Sequence, residues 1–225
     1  MRRLSDRRVV TFFALVLASG LCLALLLYRG MHDDASGYRF LAWNLMLAWV
    51  PFVLALGLYD SERQGRPRSV LVVLGALWLL FLPNAPYIVT DFIHVGEVPG
   101  APLWYDAGMT AAFAGTGLVL GLGSILLVQG VVTRRLGSVI GWAMIGPVLL
   151  LCSLGVGMGR FQRLNSWDAL TRPKHLLQLV GARLADPTGR PAVVVALVAL
   201  TGFLAVAYAL LYAVSALGPE REGQR

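Results

Sequence analysis

Residues 9–28 read VVTFFALVLASGLCLALLLY, a run of 20 residues without a charged side chain. At a rise of about 1.5 Å per residue, a helix of this length crosses about 30 Å of hydrocarbon. The core of a cleaved signal peptide is usually only about 7–15 residues long. Although four arginines lie within the first eight residues, as in a signal peptide, the length of the run predicts an uncleaved transmembrane helix.

Five further apolar runs follow the first in this chain of 225 residues. They are predicted at approximately residues 40–59, 69–82 with an extension over 83–95, 104–132, 138–158 and 191–217. Hydrophobic residues make up 57% of the sequence and charged residues only 14%, which is more apolar surface than a soluble domain of this size could bury. We therefore predict an all-α fold in which residues 1–225 form one integral membrane domain with six transmembrane helices.

An amphipathic pattern is present over residues 171–184, before the last run. Leu176, Val180 and Leu184 share one helical face, whereas Lys174 lies on another. This pattern is typical of a helix that lies in the membrane interface with its apolar side toward the lipid.

The distribution of the basic residues along the sequence is typical of membrane topology rather than of a nucleic-acid-binding surface. The net charge is +7, but the basic residues occur in short blocks between apolar runs instead of forming one stripe. With the N-terminus inside, nine of them fall inside and two outside through the fourth run. The segment 159–190, predicted outside, breaks the rule with six basic residues. Because early helices usually fix orientation, we expect both termini in the cytoplasm. Because the basic residues form no continuous stripe, we expect no nucleic-acid partner.

Three polar motifs are predicted to emerge together on the outer side of the membrane: Phe81–His94, Trp104–Asp106 and Gly159–Asp168. Their candidate site residues are Asp91, His94, Asp106, Arg160, Asn165 and Asp168. A charged group in lipid costs about 2.5–3.5 kcal/mol even by the lenient insertion scale, so such groups are seldom present without a use. The motifs therefore predict a polar site at one membrane face.

Asp91 and His94 are the candidates for catalysis or metal binding, together with Asp106 for catalysis. If the segment after Pro86 is helical, Asp91 and His94 share a face, where a carboxylate can orient an imidazole as a general base or a metal ligand. Glu97 is near enough to join them. The alternative is that Asp91 and His94 pair with each other or with an arginine and only complete the helix.

The remaining candidates also have structural alternatives. Asp106 opens the fourth run and could cap a helix N-terminus. Asn165 and Asp168, three residues apart, resemble a capping box. Arg160 could pair with Asp91 or Asp106 as a structural link, or bind a phosphate or carboxylate ligand together with Asn165 and Asp168.

The motifs resemble those of an uncharacterised bacterial multi-pass membrane family, domain of unknown function 1361. The resemblance rests on PNAPY and TD-x-x-H within Phe81–His94, on Trp104–Asp106, and on Gly159-Arg160 with NSWD at 165–168. It covers roughly residues 40–180. It implies an integral protein of a bacterial cell membrane and supplies no known activity.

Three functions are compatible with these observations. The first is a non-enzymatic membrane protein whose outward site binds a small anionic ligand or a lipid headgroup. The second is a membrane enzyme, with or without a metal ion, that acts on a lipid-linked substrate. The third is a small transporter with proline-broken helices, although no inverted repeat is visible. The sequence identifies the lipid bilayer as a partner. It identifies no cofactor and no oligomeric state.

Overall fold

The protein is a helical bundle, described here from a computed structural model over residues 2–32, 36–162 and 191–216. Within these ranges no β-strand is present. Two short 3₁₀ helices cover Ser36–Tyr38 and Ile88–His94. The α-helices are α1 (Arg2–His32), α2 (Arg39–Arg63), α3 (Arg68–Phe81), α4 (Asn84–Tyr87), α5 (Leu103–Leu136), α6 (Ser138–Ala143), α7 (Ile145–Gln162) and α8 (Pro191–Ala216).

Six helical segments in the described part of the chain are long and apolar enough to cross a membrane. They cover Val9–His32, Arg39–Arg63, Arg68–His94, Leu103–Leu136, Ser138–Arg160 and Val194–Ala216. The predictions of an all-α class and six spans are thereby confirmed. The interfacial helix predicted over 171–184 lies outside the described residues.

Helix α5 lies at the centre of the bundle, and glycines allow its neighbours to approach closely. A Cβ atom at Gly117 would lie 2.7 Å from the carbonyl oxygen of Ala85, and one at Gly121 would lie 2.9 Å from the Cβ of Ala85. Gly155 of α7 packs in the same way against the ring of Pro83. These contacts hold the proline-rich segment between α5 and α7, as small residues do in membrane bundles.

Prolines have different effects in the second and the fifth span. Pro51 lies inside α2, which continues from Arg39 to Arg63. The fifth span, Ser138–Arg160, contains Pro147 as predicted and has a one-residue break at Met144, between α6 and α7. Pro147 is the third residue of α7, in the first turn, where its missing N–H would have no intrahelical partner.

The bundle has two polar ends. One polar end surrounds His94 and is formed by five segments: the C-terminal end of α1, the start of α2, the 3₁₀ segment Ile88–His94, the start of α5 and the C-terminal end of α7. At the other, the ends of α2 and α5 meet where Glu62 pairs with Arg134, next to the loop that contains Arg66. We call these the His94 end and the Arg66 end; the predicted topology places the His94 end outside.

Candidate functional site

The 3₁₀ segment Ile88–His94 owes its position to the prolines before it. Pro83 and Pro86 lack the N–H groups that would continue α3, so α3 ends at Phe81 and one further helical turn precedes the 3₁₀ segment. Residues i and i+3 are eclipsed in a 3₁₀ helix. Asp91 and His94 are therefore on one face, as the sequence predicted for a helical segment.

Arg160, in the last turns of α7, reaches this face. Its Nη1 donates to Oδ1 of Asp91 at 3.3 Å, and its Nη2 donates to the carbonyl oxygen of Thr90 at 3.1 Å. The same Nη2 lies 3.0 Å from Nε2 of His94. The guanidinium carbon is 5.8 Å from the ring centroid of Tyr87. Arg160 thus joins α7 to the 3₁₀ segment by hydrogen bonds and an ion pair, and to α4 by a cation–π contact.

Asp91 is held from its other side by α2. Nδ2 of Asn44 donates to Oδ2 of Asp91 at 2.8 Å, so the two carboxylate oxygens accept from different helices. The Asp91 side chain is 1% exposed, and a charge buried to this degree needs such partners. Asn44 thereby links α2, the second span, to the 3₁₀ segment.

His94 extends the cluster toward the surface. Its Nδ1 lies 2.7 Å from Oε2 of Glu97, and the side chains are 32% and 59% exposed, respectively. Because a guanidinium can only donate, Nε2 of His94 accepts from Arg160, and Nδ1 carries the hydrogen that is donated to Glu97. The carboxylate of Glu97 therefore orients the imidazole. We call Asn44, Asp91, His94, Glu97 and Arg160 the Arg160 cluster.

A second buried ion pair lies beside the Arg160 cluster. Nε of Arg29, near the end of α1, lies 3.0 Å from Oδ1 of Asp106, and both side chains are 1% exposed. Nη2 of Arg29 donates to the carbonyl oxygens of Val98 and Pro99 at 3.3 Å and 3.2 Å. Arg29 thereby connects α1, α5 and the loop between the 3₁₀ segment and α5.

Tyr38 bridges the ion pair and the Arg160 cluster. Its hydroxyl donates to Oδ2 of Asp106 at 3.0 Å and lies 3.3 Å from the carbonyl oxygen of His94. It also accepts from the backbone N–H of Gly96 at 3.3 Å. Burial is the main cause that raises the pKa of the Tyr38 hydroxyl above its ordinary value of 10.0, so it remains a hydrogen-bond donor at neutral pH.

The structure separates the candidates predicted from the sequence into two groups. Asp91, His94 and Arg160 are in direct contact. Asp106 belongs to the neighbouring pair, and its oxygens accept from Arg29 and Tyr38, whereas no side chain caps the start of α5. The other two candidates, Asn165 and Asp168, lie outside the described residues. Across the described ranges, no group of three or more His, Cys, Asp or Glu side chains is arranged to hold a metal ion.

Two members of this region were not identified as site residues from the sequence. Arg29 is one of the two basic residues that the predicted topology places outside, and Tyr38 precedes the second span. The available signal was Arg29 itself, since an arginine directly after an apolar run requires either water or a carboxylate partner. Asp106, predicted at the same membrane face, is that partner.

The fold and these clusters define a multi-pass α-helical membrane protein in which charged side chains are paired and buried at one end of the bundle. Residues 43–207 match the model of a family described as "Protein of unknown function (DUF1361)". The chain belongs to this family, and the match extends beyond residues 40–180 into α8. No curated protein and no solved structure matches the sequence.

Proposed function

We propose that the Arg160 cluster binds a small anionic group, the phosphate or carboxylate of a headgroup, without catalysing a reaction on it. One observation carries the proposal. Arg160 has five N–H groups, and three of them donate to Asp91, Thr90 and His94. The other two have no acceptor within the described part of the chain, and the side chain is 16% exposed. A positioned guanidinium with two donors that no described residue occupies is suited to an anion.

The surroundings of Arg160 support a binding role. The ion pair with Asp91 and the contact with Tyr87 limit the side-chain freedom of Arg160, so a ligand would meet a preorganised donor. Asn165 and Asp168 are proposed as further contacts, with Asn165 donating an amide N–H and Asp168 accepting from a ligand hydroxyl. They follow Arg160 by five and eight residues in the sequence.

The proposed setting is a bacterial cell membrane with the His94 end outward and both termini in the cytoplasm. The distribution of basic residues through the fourth span supports this orientation. In this orientation, a headgroup phosphate of the outer leaflet would approach the Arg160 cluster from the side on which Glu97 and His94 are exposed.

Titration calorimetry of the full-length protein in detergent tests the proposal with two probes. Glycerol 1-phosphate supplies the phosphate alone, and dihexanoyl phosphatidic acid supplies it on a lipid. Binding of both probes indicates a free-phosphate site, and binding of the second alone indicates a lipid headgroup site. R160Q should weaken binding about tenfold or more, because a hydrogen bond to a charged group contributes about 1.5–3 kcal/mol.

A matched variant separates lost binding from lost structure. R160Q alone leaves Asp91 buried without its cation, whereas R160Q/D91N removes both charges together. The double variant should retain the wild-type melting temperature more closely than R160Q and still fail to bind. Wild-type affinity of a folded R160Q/D91N protein, or absence of binding by the wild-type protein, would contradict the proposal.

A second candidate function is a membrane enzyme that acts on a lipid-linked substrate. The contact of His94 with Glu97 favours it, because a carboxylate that accepts from Nδ1 fixes the imidazole tautomer in which Nε2 is the basic nitrogen. Asp91 and His94 remain the metal-ligand candidates of this alternative, with Asp106 as a further acid or base. It predicts stoichiometric divalent metal in the purified protein that is lost in H94A. Metal-free folded protein would reject the metal-assisted form.

A further inference from the structure

The Arg66 end contains two groups of arginines in different surroundings. In the first group, Arg134 donates to Oε2 of Glu62 through Nε at 3.2 Å and Nη2 at 2.9 Å. Nε of Arg135 lies 3.7 Å from Oε1 of the same carboxylate, and the guanidinium of Arg134 lies 4.6 Å from the ring centroid of Tyr59. The charges of this group are partly compensated within the protein.

The second group is the loop between α2 and α3. Arg63, Arg66 and Arg68 are all exposed. Their hydrogen-bonding partners are neutral: Arg63 donates to the hydroxyl of Tyr59 at 3.3 Å, and Arg66 donates to Oε1 of Gln64 at 3.4 Å. Among the residues that the structure describes, no carboxylate forms an ion pair with any of the three. Within the described ranges, the loop therefore presents three positive charges that have no ion-pair partner.

The backbone holds this loop in one conformation. Gly65 has a φ of 67°, its N–H donates to the carbonyl oxygen of Glu62 at 3.1 Å, and the N–H of Arg66 donates to Ser61 at 3.0 Å. These are the two hydrogen bonds of a Schellman motif, which ends α2, and Pro67 then starts α3. Helices α2 and α3 are both long and apolar enough to cross a membrane, so a bilayer crossed by both would place the loop near the lipid phosphates.

We propose that the loop 63–68 binds the phosphates of anionic phospholipids in the leaflet at the Arg66 end, independently of the Arg160 cluster. A guanidinium pairs well with phosphate oxygens. Each arginine near an anionic membrane surface contributes about 1 kcal/mol, which corresponds to about a fivefold preference. The distinction from Arg134 and Arg135 is specific: those two arginines share the carboxylate of Glu62, whereas no described carboxylate pairs with an arginine of the loop.

Native mass spectrometry of the full-length protein, exchanged into detergent with equal phosphatidylglycerol and phosphatidylcholine, tests this proposal. We expect the wild-type protein to retain phosphatidylglycerol preferentially, and R66Q and R68Q to lose about fivefold of that preference for each arginine removed. R39Q is the matched control, since Arg39 is an exposed arginine at the opposite end. It should retain the wild-type preference.

The same comparison in the R160Q/D91N background separates the two ends of the bundle. If the proposal is correct, R66Q/R68Q lowers the preference in both backgrounds, whatever the Arg160 cluster binds. An unchanged preference in a folded R66Q/R68Q protein would overturn it. An equal loss in R39Q would also overturn it, because the effect would then follow net charge rather than this loop.

Discussion

Nη2 of Arg160 lies 3.0 Å from Nε2 of His94, although 66 positions separate them in the sequence. This contact joins the end of α7 to the proline-broken segment after α3. It also determines the neutral tautomer of His94, because the guanidinium donates and the imidazole nitrogen must accept. The polar motifs of the two segments therefore act as one cluster rather than as separate helix ends.

The ion pair between Arg29 and Asp106 should be essential for stability. R29Q leaves Asp106 buried without its cation, and breaking a buried pair in this way costs about 3–5 kcal/mol. We expect a large drop in the melting temperature of the detergent-solubilised protein. R29Q/D106N, which leaves no unpaired charge, should recover part of the loss. A double variant no more stable than R29Q would argue that the charges themselves are unimportant.

Asn44 should contribute to stability through Asp91. N44L replaces the amide that donates to Oδ2 of Asp91 with a side chain that cannot donate, and an unsatisfied buried partner costs about 1–3 kcal/mol. M46L on the same helix is the control, because Met46 is 51% exposed and the change should stay within about 0.5 kcal/mol. Equal unfolding free energies for N44L and M46L would contradict the assigned hydrogen bond.

Two glycines of α7 should respond oppositely to the same change. The added Cβ of G155A would collide with the ring of Pro83, and relieving such overpacking typically costs about 1–3 kcal/mol. The Cβ of G157A would meet no atom within 4 Å, and alanine favours a helix over glycine by up to about 1 kcal/mol. Thermal unfolding should rank G157A above G155A. The reverse order would show that α7 does not pack on Pro83.

Tyr38 should make stability dependent on pH in the alkaline range. Burial raises the pKa of its hydroxyl in the folded protein above 10.0, the ordinary value that applies when the chain unfolds. Its contribution is therefore fully present below that ordinary pKa and is lost as the pH rises through the folded value. The difference in melting temperature between wild type and Y38F should shrink above pH 10. A constant difference would mean that Tyr38 does not titrate as a buried donor.

The sequence predicted the six spans because run length and hydrocarbon thickness are directly related. It also predicted a break at Pro83 and Pro86, since both residues lack an N–H. The fifth span was also predicted to be broken by a proline, and its helix has a one-residue break at Met144, three residues before Pro147.

The sequence predicted the end of the bundle at which the candidate residues lie, and it left Asp91 and Asp106 as alternative partners of Arg160. Span order places Asp91, Asp106 and Arg160 at the same end of the bundle, and the structure shows them there. Which side chains meet depends on the rotation of each helix about its own axis, which run length does not determine. Arg29 therefore reaches Asp106 through the orientation of α1, and no single-segment pattern shows this.

The most direct test of the account is labelling of single cysteines in intact cells with a membrane-impermeant thiol reagent. The native Cys22 and Cys152 are buried, so the reagent should report the introduced positions. We predict that E97C and R163C are labelled from outside and that R66C is labelled only after permeabilisation. Labelling of E97C and R163C from opposite sides of the membrane would contradict the account, because the polar motifs could not then form one site.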